Sequence, residues 1–283
     1  MQQVLFGLLD KMRTHLNQES KVEYELTVFE NGNAEKEQHL ALNGLIGKDI
    51  KLHFTGNIFC QNCFKKTKKS YGGGFCYPCT MKLAACDMCI LKPEQCHYHL
   101  GTCREPSWGE KHCMVEHIVY LANSSGLKVG ITRKSQVPIR FMDQGAVEAL
   151  PIFSVKSRYH SGLIEKMLAT ELKDKTDWRK MLKGEVAEID LIEKRDEVVE
   201  VFERELEKLE EIHGVEFEYL ENADLIEIKY PVEKYPEKIT SLSFDKTPTI
   251  EGKIIGIKGQ YLMLENGVIN LRNHTSYEVE VYC

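Results

Sequence analysis

Nine of the ten cysteines lie between Cys60 and Cys113, and no other feature of the sequence restricts the fold as strongly. Six of them form three Cys-x-x-Cys pairs. Two sulfurs at this spacing can reach one ion, and a second pair completes a tetrahedral zinc site. The alternative, a disulfide framework, requires an oxidising compartment. The N-terminal residues carry Asp10 and lack the apolar segment of a signal peptide, so we expect zinc.

The first two cysteine pairs have the spacing of a zinc ribbon, in which two knuckles flank a loop. The predicted ligands are Cys60, Cys63, Cys76 and Cys79. The sequence between the knuckles, KKTKKSYGGG, places a basic loop at the tip of the ribbon. Four thiolates leave no open position for a substrate, so this zinc is expected to be structural.

A second zinc site is expected among the cysteines that follow, but spacing alone leaves its ligands open. The preferred set is Cys86, Cys89, Cys96 and Cys103, with His99 or Cys113 as substitutes. Ligands of the two sites could also interleave. A structural zinc contributes roughly 10 kcal/mol or more at neutral pH, so two zincs would supply much of the folding energy of this segment.

Charge is unevenly distributed along the 283 residues, whose net charge is −6. Basic residues outnumber acidic ones by nine in residues 60–184, whereas acidic residues are in excess by thirteen in residues 185–283. The basic segment suits a polyanion such as nucleic acid. The alternative is that the acidic residues only solvate a long helix and strand edges. No run of 18 apolar residues occurs, so no membrane span is expected, and the thiols favour the cytoplasm.

Alternating apolar and polar residues predict strands at 22–29 and 49–59, with a turn at 30–33 after the first. Residues 1–17 fit either an amphipathic helix or an opening strand. Because the strand at 49–59 ends at Cys60, we expect the metal-binding region to extend from a sheet.

A β-hairpin is predicted directly after Cys113, from strands at 117–122 and 127–132 around a tight turn. A helix beginning near Val137 or Pro138 would carry Arg140 in its first turn. A second helix is expected over about 161–172, with Glu165 on it.

The C-terminal third predicts one long helix and a set of short strands. The helix spans 192–214, ends at Gly214 and has an apolar stripe. Its predicted stripe is Ile192, Val199, Phe202, Leu206, Leu209 and Ile212. The strands after it predict a small antiparallel barrel or sandwich, of the OB or SH3-like type. Since this part is acidic, protein contact is the favoured role.

Aromatic and basic residues within 60–184 favour RNA over DNA, since unstacked bases pack on aromatic rings. The aromatic residues are Tyr71, Phe75, Tyr77 and Trp108. At helical spacing a further basic face is formed by Lys175, Arg179 and Lys183. The alternatives are that Trp108 packs on a zinc knuckle and that the basic face is merely solvated.

Two short motifs and two single residues of the hairpin region lie in the order found in a known nuclease group. Ile118-Val119-Tyr120 is followed by Lys128-Val129-Gly130, then by Arg140 and by Glu165. These motifs resemble the GIY-YIG nuclease superfamily over about 55 residues. The first motif lacks its opening glycine, and lysine replaces the second tyrosine, as in a phage-type branch.

This resemblance implies a GIY-YIG-like α/β fold and metal-dependent phosphodiester cleavage. Tyr120 would be the general base, and Arg140 with Arg133 or Lys128 would stabilise the transition state. Glu165 would bind Mg²⁺ or Mn²⁺. The alternative for the same residues is a hairpin in which Tyr120 packs in the core and the basic side chains are solvated.

Most of the chain also resembles an uncharacterised bacterial and archaeal family that brings no established activity. The resemblance is carried by CYPC, KPEQCHYHLGTCREPSWGE, HIVYLANSSGLKVGITR, DQGA, DKTDWR and KGQYL. It supports the architecture and leaves the function open.

Taken together, the sequence predicts an α+β protein in four parts. These are an N-terminal β region (1–59), a double zinc-ribbon region (60–113), a GIY-YIG-like α/β domain (114–184) and a helix with a C-terminal β domain (185–283). The preferred function is that of a zinc-containing nucleic-acid-binding protein, with RNA favoured, that carries a candidate metal-dependent nuclease site. The alternative is a non-catalytic nucleic-acid-binding or assembly factor whose acidic C-terminal part contacts a protein partner.

Overall fold

The computed structural model describes residues 1–172 and 177–283. These residues form two compact units, one made of 1–81 with 229–283 and the other of 82–228. The units differ from the four parts expected from the sequence, because the chain returns to its N-terminal strands after residue 228. Lys175 of the predicted basic face lies outside the described residues.

The described residues contain sixteen strands. In chain order they are β1 (Gln3–Leu9), β2 (Arg13–Leu16), β3 (Val22–Glu30), β4 (Asn33–Ala41), β5 (Asp49–Phe59), β6 (Lys66–Thr67), β7 (His117–Asn123), β8 (Leu127–Arg133), β9 (Glu148–Val155), β10 (Phe217–Tyr219), β11 (Ile226–Glu227), β12 (Ser241–Leu242), β13 (Thr249–Lys258), β14 (Tyr261–Leu264), β15 (Gly267–Asn270) and β16 (Tyr277–Tyr282).

Seven α-helices accompany these strands in the described part of the chain. They are α1 (Tyr77–Lys82), α2 (Met88–Leu91), α3 (Pro106–His112), α4 (Ile139–Asp143), α5 (Arg158–Leu168), α6 (Trp178–Leu182) and α7 (Leu191–His213). None of them is both long and apolar enough to cross a membrane.

The first unit is built on an eleven-stranded sheet in which the two ends of the chain pair with each other. Strand β16 lies between β1 and β5, with Val279 opposite Gly7 on one side and Phe54 on the other. The alternating sequence YEVEVY of β16 buries Tyr277 and every second residue after it. The C-terminal strands β12–β16 therefore belong to the same sheet as the N-terminal strands. They do not form the separate C-terminal barrel or sandwich that the sequence predicts.

The N-terminal residues confirm the strand alternative and not the helix, since β1 and β2 occupy most of residues 1–17. The polar side chain of Gln260 connects this region to the turn after β13. Its amide oxygen accepts from the backbone N–H of Met12 at 2.8 Å, and its amide nitrogen donates to the Met12 carbonyl at 3.0 Å. Both groups are buried, so this double hydrogen bond satisfies backbone that water cannot reach.

The second unit contains a five-stranded sheet with β7 at its centre, between β8 and β9. All seven residues of β7 are buried, as expected for a central strand covered on both faces. The predicted hairpin is confirmed, with Tyr120 opposite Gly130. Strands β10 and β11 pair with β9 in this unit, so two strands assigned to the C-terminal β domain belong here.

Helix α7 confirms the predicted long helix, and its core contacts follow a slightly different stripe. Asp190 caps its N-terminus by accepting from the backbone N–H of Ile192 at 2.9 Å, and Gly214 ends it at φ +61°. The buried residues are Leu191, Arg195, Val198, Phe202 and Leu206. Ile192 and Ile212 of the predicted stripe are 46% and 71% exposed, because they lie off this face.

A buried lysine in the first unit provides a test of its packing. Lys258, at the end of β13, has no exposed surface, and its amine makes no hydrogen bond to any described residue. The amine lies 5.4 Å from the ring centre of Tyr230 and 5.7 Å from that of Tyr235. Burial lowers the pKa of Lys258 from 10.5 to about 8, so the folded protein disfavours its charged form.

We expect Lys258→Met to raise the free energy of unfolding at pH 7. The pKa shift alone corresponds to about 3 kcal/mol, and loss of the two ring contacts offsets about 1–2 kcal/mol of it. Between pH 8 and 10.5, Lys258 is protonated in the unfolded chain but not in the folded chain. The stability of the wild type should therefore rise relative to that of the variant as the pH increases through this window. Below pH 8 the wild type should remain less stable than the variant by the full amount. Urea denaturation at several pH values measures the difference.

Lys253→Met is the matched control, since Lys253 is on the same strand and its side chain is 46% exposed. It should leave stability nearly unchanged at every pH. A loss of stability in Lys258→Met comparable to that of a large core truncation would contradict the inferred cost of burying the amine.

Candidate metal centre and hairpin site

The first cysteine cluster consists of four sulfurs that the local backbone brings to one point. Its members are Cys60, Cys63, Cys76 and Cys79. All four sulfurs lie within 4.8 Å of one another, and those of Cys63 and Cys76 are 3.7 Å apart. Four thiolates around a tetrahedral zinc at 2.3 Å are separated by about 3.8 Å. The group could therefore hold a zinc ion, as the spacing predicts.

Short turns explain how the two knuckles reach this geometry. Cys60 directly follows β5, and its carbonyl accepts from the backbone N–H of Phe64 at 2.9 Å. Phe64 adopts φ +59°, which returns the chain to pair β6 with the end of β5. On the other side, Cys79 lies in α1, and the N–H of Thr80 donates to the Cys76 carbonyl at 2.9 Å.

The glycine-rich part of the loop contacts the sheet of the same unit. The carbonyl of Gly74 accepts from the backbone N–H of Gln61 at 2.8 Å and from the Ser276 hydroxyl at 3.1 Å. Gly74 has φ +128°, and a Cβ there would lie 2.7 Å from the Gln61 side chain. Only glycine meets both conditions without strain, so GGG has a structural reason in this sequence.

Electrostatics in the first cluster favour a cation. Burial raises the pKa of the Cys60 thiol, but backbone N–H groups, first that of Cys63, outweigh burial and lower this pKa to about 6. The Asn62 amide donates to Cys79 at 3.3 Å, yet burial and the neighbouring sulfurs raise the pKa of Cys79 to about 12. Four negative sulfurs cannot coexist here unaided, and a divalent ion removes that repulsion.

The cysteines from Cys86 to Cys113 lie in the second unit, and none of the ten cysteines forms a disulfide. A small cavity is lined by Cys89, Cys96, Cys103 and Cys113. Of the predicted second set, Cys86 is not among the residues that the structure places around this cavity. The His99 ring packs beside Tyr159, with ring centres 5.3 Å apart, and so has a different environment.

The hairpin tyrosine is fully buried. Its hydroxyl donates to the side-chain oxygen of Gln144 at 2.8 Å, and its ring lies 4.4 Å from that of Phe141. A Cβ on Gly130 would lie 2.6 Å from the Tyr120 hydroxyl, so glycine in KVG makes room for this ring. Gln144 comes from the DQGA sequence, whose Gly145 reverses the chain after α4 at φ +72°. Because Tyr120 has no exposed surface, its hydroxyl does not contact bulk water in this arrangement.

The remaining hairpin candidates are charged residues in different elements of the second unit. Burial lowers the pKa of Arg158, where the charges of Glu165 and Arg140 also act on the guanidinium. Burial likewise lowers the pKa of His117 to about 4, with Arg158 and Arg133 contributing in the same direction. Arg140 and Glu165 are thus within electrostatic range of Arg158, and Arg133 is within range of His117, while Lys128 is buried within β8.

Arg158 and Gln144 are the two site residues that the sequence-based candidates lacked. Arg158 follows the helix cap Ser157, and its position two turns before Glu165 on α5 was the available signal. Its guanidinium donates to the Ile90 carbonyl at 2.7 Å, but its Nε has no hydrogen-bond partner among the described residues. Gln144 was part of the DQGA sequence that carries the family resemblance, but only the folded hairpin brings it to Tyr120.

Removing one ligand of the first cluster should remove one zinc ion per chain. We expect Cys79→Ser to lower the zinc content by about one per molecule, because three thiolates and a serine bind zinc far more weakly than four thiolates. Metal analysis of the purified protein measures it. Cys283→Ser changes a thiol outside the cluster and should keep the wild-type zinc content. Equal zinc in wild type and Cys79→Ser would refute the site.

Comparisons with known proteins give one family and no individual relative. No curated protein and no solved structure matches the chain. A family model described as a protein of unknown function (DUF2797) matches residues 47–279, which cover both cysteine groups, the hairpin and most of the C-terminal strands. The chain belongs to the DUF2797 family.

Proposed function

We propose that this chain is a zinc-stabilised nucleic-acid-binding protein that acts on phosphodiesters at the hairpin of the second unit. The observation that carries the proposal is the electrostatic grouping of Arg140, Glu165 and Arg158. Arg140 and Glu165 are far apart in sequence and are the residues that the GIY-YIG resemblance selects for phosphate stabilisation and metal binding. Arginine beside a phosphate supplies the charge that phosphoryl transfer requires.

The arginines near α5 suit a phosphate anion. The charges of Arg133 and Arg158 both act on His117, whose pKa, lowered first by burial, keeps the ring neutral at physiological pH. The unpaired Nε of Arg158 offers a donor to an incoming oxygen. A phosphodiester placed here would meet several positive charges in a partly buried setting, where they act more strongly than in water.

Metal dependence of the reaction rests on one carboxylate, that of Glu165. Among the described residues, no group of three ligand side chains includes it. Mg²⁺ commonly takes one or two carboxylates and completes its shell with water and substrate phosphate oxygens. Glu165 would thus orient a metal that arrives with the nucleic acid.

The basic loop of the zinc ribbon supplies the binding surface. Its exposed lysines are Lys65, Lys66, Lys68 and Lys69. The Lys69 amine lies 5.5 Å from the ring centre of Tyr71. Tyr71 packs edge-on against Tyr77, which is 59% exposed. Exposed rings beside lysines allow bases to stack while phosphates are neutralised, which favours single-stranded RNA. Trp108 instead stacks on His112, with ring centres 4.2 Å apart.

Replacing the four loop lysines by alanine should weaken binding of mixed-sequence single-stranded RNA by about tenfold or more at moderate salt. Each lost phosphate contact also reduces the slope of log affinity against log salt by about 0.7, so the slope should fall by up to about 3. Fluorescence anisotropy at several salt concentrations measures both quantities.

The matched control changes four exposed lysines of the same unit outside the loop: Lys48, Lys234, Lys238 and Lys246. This control changes the net charge by the same amount as the loop variant. It should keep the wild-type affinity for RNA and the wild-type slope of log affinity against log salt. Binding that is insensitive to salt, or equally weakened by both variants, would exclude the loop as the binding surface.

Cleavage is tested with RNA and DNA pools in the presence of Mg²⁺ or Mn²⁺. Glu165→Gln should reduce the cleavage rate about a hundredfold or more, because the amide no longer holds the metal. Glu171→Gln removes an exposed carboxylate just beyond α5 and should leave the rate unchanged. Cleavage that persists in Glu165→Gln would refute the assignment, and binding without cleavage by the wild type would indicate the non-catalytic alternative.

A further inference from the structure

A second sulfur-lined cavity lies in the second unit, apart from the first cysteine cluster in the chain. Its volume is about 10 Å³, room for one ion or one water molecule. Four of its lining residues are cysteines, from α2, from two loop positions and from the end of α3: Cys89, Cys96, Cys103 and Cys113. A cavity of this size, with four thiols on its wall, suits a single soft cation better than any organic ligand.

Burial describes the same grouping. Cys96 and Cys113 are 7% and 6% exposed, and Cys89 and Cys103 are half-buried. All four thiols are therefore at least partly withdrawn from water where they line the cavity, and a divalent ion bound there would attract them as thiolates.

The neighbouring group of Asp87, Cys89 and His97 is the competing ligand set, since its ligand atoms lie within 4.8 Å of one another. Its carboxylate is already engaged, because Arg104 Nε donates to it at 2.6 Å. His97 Nδ1 lies 2.7 Å from the Thr102 hydroxyl, and its Nε2 lies 3.5 Å from the Asp87 carboxylate. This arrangement is that of a hydrogen-bonded ion-pair network beside the cavity.

We propose that Cys89, Cys96, Cys103 and Cys113 bind a second zinc ion, with Cys86 outside the ligand set. The assignment replaces Cys86 by Cys113 in the set preferred from the sequence. It stands independently of nucleic-acid binding, because it concerns the folding of the cysteine-rich segment. Four thiolates make a closed, structural site.

This zinc would hold the cysteine-rich segment against the helix that carries Glu165. The backbone N–H of Arg158 donates to the Cys113 carbonyl at 2.8 Å. Farther along α5, a Cβ on Gly162 would lie 2.6 Å from the backbone nitrogen of Glu94 and from Pro93. The segment thus packs directly on the helix backbone at a glycine, and the proposed ion closes the segment on itself at its Cys89 and Cys113 ends.

Zinc content of single variants of the full chain separates the candidate ligand sets. We expect about two zinc ions per wild-type chain, about two in Cys86→Ser and about one in Cys113→Ser. Asp87→Asn and His97→Ala should also keep about two. Wild type with one zinc, full zinc in Cys113→Ser, or loss of one zinc in Cys86→Ser, Asp87→Asn or His97→Ala would each overturn the proposed set.

A second measurement covers the case in which Cys113→Ser folds poorly. Cys79→Ser removes the first site, so X-ray absorption at the zinc edge of that variant reports the second site alone. Four sulfur neighbours at about 2.3 Å support the proposal. Nitrogen or oxygen neighbours at about 2.0–2.2 Å, as His97 or Asp87 would give, or absence of bound zinc, overturn it.

Discussion

Repulsion between neighbouring sulfurs is the constraint on which the fold of the cysteine-rich segment, residues 60–113, depends. Sulfurs within 4.8 Å of one another cannot all be thiolates without a cation, and protonating them would leave the knuckles with little apolar contact to hold them. In the first cluster the shifted pKa values of Cys60 and Cys79, in opposite directions, express this conflict. A zinc ion held by the four sulfurs would remove this repulsion and so contribute directly to folding.

Arg158 connects the cysteine-rich segment of the second unit to the charged residues of the hairpin region. Its backbone N–H and its guanidinium contact the carbonyls of Cys113 and Ile90, and the charges of Arg140 and Glu165 act on its guanidinium. One residue thus belongs to both groups. Under the proposed function, a change in the second sulfur site would alter the position of a charge that faces the phosphate, although no sulfur contacts it.

Local features of this fold could be predicted from the sequence, whereas long-range pairings could not. The first cluster, the hairpin and α7 depend on spacings within a few turns, where periodicity and Cys-x-x-Cys pairs are informative. The position of β16 between β1 and β5 depends on residues more than 200 positions away, and its alternation is the same in a separate barrel as in a shared sheet. The alternation of apolar and polar residues in β16 therefore could not identify the strands with which β16 pairs.

Ligand choice in the second cysteine group is undetermined by the sequence for the same reason. The Cys86 and Cys89 spacing resembles a knuckle, but Cys86 lies in a turn before α2 while Cys113, at the end of α3, reaches the cavity wall. Which sulfurs lie near one another depends on how α3 and the preceding turns fold back, including the packing of the Tyr98 ring on Gly109, where an added Cβ would lie 3.0 Å from the ring. That arrangement depends on three-dimensional packing and not on cysteine spacing.

Tyr120 illustrates how packing alone can account for a residue that also matches a catalytic motif. Its ring needs Gly130 opposite, Phe141 beside it and Gln144 at its hydroxyl, so the motif residues are mutually constrained by sterics alone. Catalysis is not needed to explain their presence together. The grouping of Arg140 and Glu165 has no such steric explanation, because charged side chains that only solvate a surface need not share one partly buried guanidinium. The charged residues, more than the tyrosine, are therefore the part of the resemblance that argues for phosphate chemistry.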